Sequence, residues 1–284
     1  MRELTTVADL REAAENDALL LWAAGGFGAG ARAWTHGGAV AVAAPALSRR
    51  DRLAVRGPAP AAARLVRHAL GVSGPSYRPV GDTALIAGLV TAVPALTVTN
   101  TFGWMDVAGP GLHTAGGTPT GPGLHTAGGT PTGPGPDTAG GTPTGPGPDT
   151  AGGAHWLGPD ELPDAAELIA DVYPGSYARP DGRHHEHRRH RWAGVRDDAG
   201  RLTAVAADAW SSPEVGFLAG VAAHPGHGRG RGHAEAACRL VLDTALRRGG
   251  RAALMVDADN PAAVRLYRRL GLRWRDVCAA GLTR

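Results

Sequence analysis

The chain has 284 residues, the length of about two ordinary domains, and its 43% hydrophobic content is enough to form a core. Its 29 basic and 26 acidic side chains leave a net charge of +3, too small a surplus to indicate nucleic-acid binding. Two cysteines exclude a disulfide framework and a cysteine-built zinc site. The longest apolar run, Thr83–Val98, contains Gly88 and Pro94 and is shorter than the roughly 20 residues that cross a bilayer. No apolar leader is visible, so we expect a cytoplasmic protein with neither membrane nor nucleic-acid partners.

Residues 1–107 show mixed helix and strand signals and no catalytic constellation. Thr6–Asp9 resembles a capping box that opens a helix to about Glu15. The glycine-rich stretch Gly25–Gly30 follows a helix signal and lacks a Lys-Ser/Thr ending, so it is interpreted as a turn rather than a phosphate loop. The other predicted elements are strands over Gly38–Ala44, Arg52–Arg56 and Leu96–Thr101, a helix over Pro58–Leu70, and Thr83–Leu89 as either helix or strand.

A 12-residue tandem repeat occupies Gly109–Gly153: GPGLHTAGGTPT occurs twice, followed by GPGPDTAGGTPT and a truncated GPGPDTAGG. It has no hydrophobic period and too little apolar surface to offset the entropy of ordering it. We interpret it as a flexible linker or an expanded loop. The predicted organisation is therefore an N-terminal domain at 1–107, a linker at 108–153 and a C-terminal domain at 154–284.

The C-terminal part alternates helices and strands in a regular order. The predicted elements are a helix over Asp160–Val172, a hairpin of Arg191–Arg196 and Arg201–Ala207, a buried strand over Val215–Val221, a long helix from His233 to Arg247, a strand over Arg251–Val256, a helix over Ala262–Leu270 and a last strand over Leu272–Cys278.

The segment between the buried strand and the long helix is rich in glycine and arginine. Glycines let backbone N–H groups close on an anion, and a helix start offers unpaired donors and positive dipole. Arg229 and Arg231 add fork-shaped cationic donors. The segment predicts a phosphate site, and the alternative is an exposed Arg/Gly turn.

Two motifs in this part resemble those of GCN5-related N-acetyltransferases (GNAT). Arg229-Gly-Arg-Gly232-His-Ala234 fits the family's Arg/Gln-x-x-Gly-x-Gly/Ala loop, and the run from Asn260 to Gly271 fits Asn-x-x-Ala-x-x-x-Tyr-x-x-x-Gly. The resemblance implies an α/β GNAT fold with a mixed sheet for the C-terminal domain. The N-terminal domain is expected to be a smaller mixed α/β domain. It is either an accessory domain or a degenerate acetyltransferase-like module, as in tandem members of the family.

The resemblance also implies an activity: direct transfer of an acetyl group from acetyl-CoA to a primary amine of a small-molecule or peptide acceptor. Tyr267 corresponds to the family's general acid, and packing against the sheet is its alternative role. Asp208 and Glu214 are candidate bases, but each is more simply a solvated turn residue, so no base is assigned. Residues expected to bind acetyl-CoA are Leu218, Ala219, Val221, Arg229, Gly230, Arg231, Gly232, His233, Ala234 and Asn260.

Several features remain outside these motifs. His184, His187 and His190 share a helical spacing, but the arginines around them favour a solvated basic face over a metal site, so no metal is expected. A weaker hypothesis gives this run a role in admitting an acidic acceptor. Cys238 and Cys278 are interpreted as small core residues. The rival function is a non-catalytic acyl-CoA-binding sensor or interaction protein, and a homodimer is left open.

Overall fold

The computed structural model describes residues 1–109, 112, 153–180 and 190–283. Below, the N-terminal half means residues 1–109 and the C-terminal half means residues 153–283. The predicted linker, apart from its edges, and the histidines His184 and His187 lie outside the described residues. The proposed boundaries at 107 and 153 stay predictions.

The N-terminal half begins with a short strand and two capped helices. Thr6 Oγ1 accepts a hydrogen bond from the Asp9 amide at 3.1 Å, and Asp17 Oδ1 accepts one from Leu19 N at 2.8 Å, so both helix starts are satisfied. The elements are β1 (Arg2–Leu4), α1 (Val7–Ala13), α2 (Ala18–Ala24), β2 (Arg32–His36), β3 (Ala39–Leu47), β4 (Arg50–Arg56), α3 (Ala59–Ser73), β5 (Arg78–Asp82), α4 (Thr83–Ala92) and β6 (Leu96–Ala108). The ambiguous apolar stretch at residue 83 is thus a helix.

Among the described residues, the C-terminal half has the same order of elements, except that one helix takes the place of α1 and α2. The elements of this half are β7 (Ala154–Trp156), α5 (Leu162–Val172), β8 (Arg191–Arg196), β9 (Leu202–Asp208), β10 (Gly216–Ala223), α6 (His233–Gly249), β11 (Arg251–Val256), α7 (Pro261–Arg269) and β12 (Arg273–Leu282). Every helix and strand predicted for this half is present; β8 and β11 have the predicted ends, and each of the other predicted elements has at least one shifted end. Among the described residues, no helix is both long and apolar enough to cross a membrane.

The 12 strands of the described residues form one sheet, in the order β1-β2-β3-β4-β5-β12-β6-β11-β10-β9-β8-β7. Strands β1–β6 and β7–β12 occupy equivalent places in this order. When each strand is replaced by its counterpart in the other half (β1 by β7, β2 by β8 and so on), the same order is obtained in reverse. The pairing types repeat as well: β4 and β5 are parallel, as are β10 and β11, and the other neighbours are antiparallel. The chain is therefore an internal repeat of one α/β unit.

The two repeats exchange their last strands at the centre of the sheet. β6, from the N-terminal half, lies between β11 and β12 of the C-terminal half, and β12 in turn pairs with β5. The β6–β12 ladder runs from Arg273 opposite Asp106 to Leu282 opposite Leu96. Each half thus places its last strand among the strands of the other half. The hydrogen-bonded ladders are therefore continuous from one half to the other.

Buried aromatic rings pack across the boundary between the two halves on one face of the sheet. Trp22 of α2 stacks on Phe217 of β10 with ring centroids 4.4 Å apart and lies 5.5 Å from Trp104 of β6. On the same side, Asp17 pairs with Arg275 of β12 at 2.5 Å. Burying Trp22 and Trp104 completely removes large apolar surfaces from water and ties the halves into one core.

Candidate active site

Strand β10 separates from its neighbour partway along its length. Gly216 and Phe217 pair with Ala252 and Ala253 of β11, and beyond them the described strands share no further paired residues. On its other side, β10 changes register against β9 between Ala219 and Ala222. The bulge is possible because Gly220 has φ +58, and a Cβ there would lie 2.6 Å from the ring of Trp192. The backbone of residues 218–221 thus faces an open wedge between two strands.

The glycine-rich loop follows β10 and leads into the start of α6. The imidazole Nδ1 of His224 accepts from the amides of Gly226 and His227 at 3.1 and 3.2 Å, which shapes the first turn. Gly228 then passes close to β9, where a Cβ would lie only 2.2 Å from the carbonyl oxygen of Thr203. This close contact explains why residue 228 is a glycine, although the family motif does not specify one there.

The second part of the loop faces open space. Gly230 and Gly232 have φ +73 and +79, and a Cβ on either would meet no atom within 4 Å. The first amides of α6 have no intrahelical acceptor and stand beside these glycines. The loop and helix start thus provide the donors and the room that an anion requires.

One cavity of about 1280 Å³ joins the wedge, the loop and α7. Nine of the predicted site residues line it: Leu218, Ala219, Val221, Arg229, Gly230, Gly232, Ala234, Asn260 and Tyr267. Arg231 and His233 do not. The His233 ring is instead tied to β9, with Nδ1 2.7 Å from Thr203 Oγ1, which also donates to the Val195 carbonyl at 3.0 Å. His233 therefore positions the helix start, and its side chain does not face the cavity.

Tyr267 lies on α7, whose start is fixed by Asn260. Asn260 Oδ1 accepts a hydrogen bond from the Ala263 amide at 3.1 Å, so Asn260 caps the helix, and its amide NH₂ takes no part in that bond. The Tyr267 side chain is 7% exposed and packs with the core around α6. Burial raises the pKa of its phenol well above the ordinary value of 10, and Cys238 and Tyr173 add to the effect. The phenol is therefore a protonated donor at neutral pH.

Neither of the candidate bases lines the cavity. Asp208, expected in a solvated turn, is instead buried and accepts from Arg248 Nη1 at 2.9 Å and from the Ser211 hydroxyl. Ser211 Oγ accepts in turn from the Phe217 amide at 2.7 Å, so this network holds the start of β10. Glu214 precedes the strand and has a buried carboxylate oxygen outside the cavity.

The N-terminal half supplies one wall of the same cavity, which sequence reasoning missed. The lining includes Arg50 and Arg52 of β4, Arg78 of β5, and Thr99 and Asn100 of β6. These residues carry no motif, and they lie beside the C-terminal site only because β12 and β6 join the two halves of the sheet. The one available signal was the arginine content of a predicted strand, which also fits an exposed edge.

The histidine run contributes one described residue to this region. His190 packs edge-on against Trp210, which lines the cavity, with ring centroids 4.7 Å apart. His184 and His187 lie outside the described residues. Within the part of the chain the structure describes, no group of three or more His, Cys, Asp or Glu side chains could hold a metal ion.

Comparison with known proteins agrees with this geometry. Residues 162–272 match the family model of the acetyltransferase (GNAT) family. A GCN5-related N-acetyltransferase from Kribbella flavida is 18% identical, covers 99% of this chain and 97% of its own, and superposes with a TM-score of 0.52. A GNAT-family acetyltransferase from Colwellia psychrerythraea is 12% identical, with coverage of 100% and 99% and a TM-score of 0.48. A tandem GNAT protein from the clavulanic acid biosynthesis pathway is 16% identical, with coverage of 88% and 81% and a TM-score of 0.44.

Residues 162–272 thus form an acetyltransferase (GNAT) domain, as the two motifs predicted. The predicted mixed α/β fold with an additional N-terminal α/β region is confirmed as well. Membership implies acyl transfer from an acyl-CoA. At 18% identity the full-length likeness shows the fold alone. No curated protein matches the sequence.

Proposed function

We propose that the protein transfers an acetyl group from acetyl-CoA to a primary amine in the cavity of its C-terminal half. The observation that carries the proposal is the opening of three features into one cavity. They are the wedge beside β10, the amide-rich start of α6, and the buried phenol of Tyr267. A binding-only protein would need the first two features but not the third.

The residues present suit acetyl-CoA as the co-substrate. Its pyrophosphate would lie at the loop of Arg229–Ala234, where glycines leave open space and the helix start presents amides. The pantetheine arm would pair with the strand edge of Leu218–Val221, which β11 leaves free. Asn260 lies on the cavity wall with amide hydrogens to donate to the arm.

Tyr267 would supply the proton that the reaction requires. The acceptor nitrogen forms a bond to the acetyl carbonyl carbon, the carbon–sulfur bond breaks, and the sulfur leaves as a thiolate. The Tyr267 hydroxyl donates its proton to that sulfur, because a buried phenol with a raised pKa is protonated at neutral pH. The proton lost by the amine leaves through water, and Tyr267 recovers its own from solvent.

A calorimetric titration with acetyl-CoA tests the binding part of this proposal. We expect about one molecule bound per chain. Gly232→Trp should weaken binding at least about 100-fold, because the new ring would fill the space beside the helix start. Gly200→Trp is the matched control, since Gly200 also has positive φ and open surroundings but belongs to the β8–β9 turn. Equal affinity in the two variants would contradict the assigned pyrophosphate site.

Tyr267→Phe separates catalysis from binding. The ring packing is kept and the proton donor is lost, so kcat should fall by about 100- to 10,000-fold with little change in acetyl-CoA affinity. Unchanged turnover would remove the acid role. Tight binding with no turnover on any amine, in the wild type, would favour the acyl-CoA sensor instead. The cytoplasmic location and the homodimer remain predictions from the sequence.

A further inference from the structure

Three arginines of the N-terminal half form a cationic cluster on the cavity wall. Arg52 of β4 and Arg78 of β5 are paired residues of a parallel ladder, so their side chains leave the same face of the sheet next to each other. Arg50 lies two residues before Arg52 and hence on that face too. All three are half-buried and line the cavity.

No carboxylate neutralises this cluster within the described residues. Arg50 Nη2 donates to the Tyr177 hydroxyl at 2.8 Å, and Arg52 Nε donates to the Leu47 carbonyl at 3.0 Å. The Arg78 side chain makes no hydrogen bond or ion pair in the described part of the chain. Arg52 Nη2 also donates to Ser48 Oγ at 3.3 Å. The three guanidinium groups still have N–H donors that no acceptor among the described residues uses.

Arg52 is buried close to the like charges of Arg50 and Arg78. Burial lowers the pKa of its guanidinium to about 10, and the neighbouring charges of Arg50 and Arg78 add to the shift. An anion placed among the three side chains would relieve that repulsion. Carboxylates and phosphates match the guanidinium fork with two parallel hydrogen bonds.

A row of tyrosines connects this cluster with the proposed acid. Tyr177 contacts Arg50, with the guanidinium carbon 5.5 Å from its ring centroid. Tyr173 lies near enough to both Tyr177 and Tyr267 to share electrostatic effects with each. All three tyrosines line the cavity, whose volume of about 1280 Å³ exceeds the roughly 300–1,000 Å³ of a single-ligand pocket. The cavity therefore has room for a co-substrate arm and an acceptor.

We propose that the acceptor is an amine that also carries an anionic group, a carboxylate or a phosphate, which Arg50, Arg52 and Arg78 bind. The N-terminal half is then the acceptor-binding wall of an active site in the C-terminal half. This inference rests on the proposed acetyltransferase function and names its substrate class.

The test compares acceptors of matched length. Alkylamines, ω-amino carboxylates and ω-aminoalkyl phosphates with two to six carbons would be assayed for acetyl-CoA-dependent release of CoA thiol. We expect kcat/KM for one anionic series to exceed that of the alkylamines by about 10- to 100-fold, the size of a charge-assisted hydrogen-bonded pair. The series that responds identifies the anion as carboxylate or phosphate.

Variants assign the preference to the cluster. Arg78→Gln should lower the ratio of kcat/KM between the anionic acceptor and the alkylamine at least about 10-fold, and Arg78→Lys should retain part of it. Arg52→Gln should act in the same direction. Arg64→Gln is the control, because Arg64 is an exposed arginine of α3 outside the cavity lining and should leave the ratio unchanged.

The two proposals fail in different ways. If acetyl-CoA binds and alkylamines are acetylated as well as their anionic counterparts, the acceptor class is wrong and the acetyltransferase stands. A preference that survives both Arg78→Gln and Arg52→Gln also overturns the role of the cluster. If the wild type neither binds acetyl-CoA nor acetylates any amine, the proposed function is wrong and this inference falls with it.

Discussion

The two halves share one topology but differ at the position of the active site. In the C-terminal half, β10 and β11 separate after two residue pairs, and a nine-residue loop, His224–Gly232, precedes α6. In the N-terminal half, β4 and β5 stay together over three pairs, and only Gly57 and Pro58 precede α3. The two parallel strands thus separate earlier in the C-terminal repeat, and the equivalent strands stay paired for longer in the N-terminal repeat.

Equivalent positions of the two halves also carry residues of different chemistry. Pro58 and Pro60 remove amide donors from the start of α3, whereas the start of α6 keeps its amides. Counted from the residue that precedes each helix, Tyr267 of α7 corresponds to Leu89 of α4, which is fully buried. At these two positions the N-terminal half therefore has neither the free helix-start amides nor the phenol of the C-terminal half. A repeated fold can thus keep its topology while one copy supplies a wall of the cavity that opens in the other.

The largest expected difference between the halves comes from alanine substitutions at two glycines, Gly228 in the loop after β10 and Gly57 after the equivalent strand β4. A Cβ on Gly228 would lie 2.2 Å from the Thr203 carbonyl oxygen, and one on Gly57 would lie 2.5 Å from the Gly38 carbonyl oxygen. Gly228→Ala should displace the loop and weaken acetyl-CoA binding by about 100-fold, measured by calorimetry. Gly57→Ala should lower the free energy of unfolding by about 2–3 kcal/mol, with affinity of the folded protein within about twofold of wild type. A loss of affinity in Gly57→Ala would give the N-terminal half a direct role in cofactor binding.

A second contrast concerns the paired strands β4 and β5 of the N-terminal half. A Cβ on Gly81 of β5 would lie 2.5 Å from the Val55 carbonyl oxygen of β4, so Gly81→Ala should cost about 2 kcal/mol in urea denaturation. A methyl group on Gly71 of α3 would meet no atom within 4 Å, so Gly71→Ala should stabilise the protein by about 0.5 kcal/mol. Equal effects in the two variants would show that β4 and β5 can separate as β10 and β11 do.

The smallest contrast lies at the first helix of each half. Burial would raise the pKa of Glu161, but hydrogen bonds from the Gly158 amide, His155 and Arg196 outweigh it and lower the pKa to about 2. Its stabilising contribution is therefore complete above the unfolded-state pKa of about 4.5 and is lost as pH falls toward 2. The free energy of unfolding should fall between pH 6 and pH 2.5, and Glu161→Gln should reduce this fall by about 1 kcal/mol, measured by denaturation. Thr6→Ala, at the equivalent cap of the N-terminal half, should cost about 1 kcal/mol at every pH in that range.

Much of the C-terminal half could be predicted from local sequence. The glycine–arginine loop, the capping Asn260 and the spacing to Tyr267 are short-range patterns, because each depends on backbone geometry within one helix or turn. The short strands β1, β2, β5 and β7 were missed, since three to five residues carry little periodicity. Arg231 and His233 were assigned to the site by the motif, yet neither lines the cavity.

The sequence by itself determined which helix start follows a glycine-rich loop and where Tyr267 lies on its helix, because those properties belong to neighbouring residues. Only the tertiary structure decided that β6 and β12 change places between the halves and that Arg50 meets Tyr177, 127 residues later in the chain. Strand pairing and cavity walls join residues that are far apart in sequence. Their positions depend on packing of the whole sheet, which no local pattern encodes.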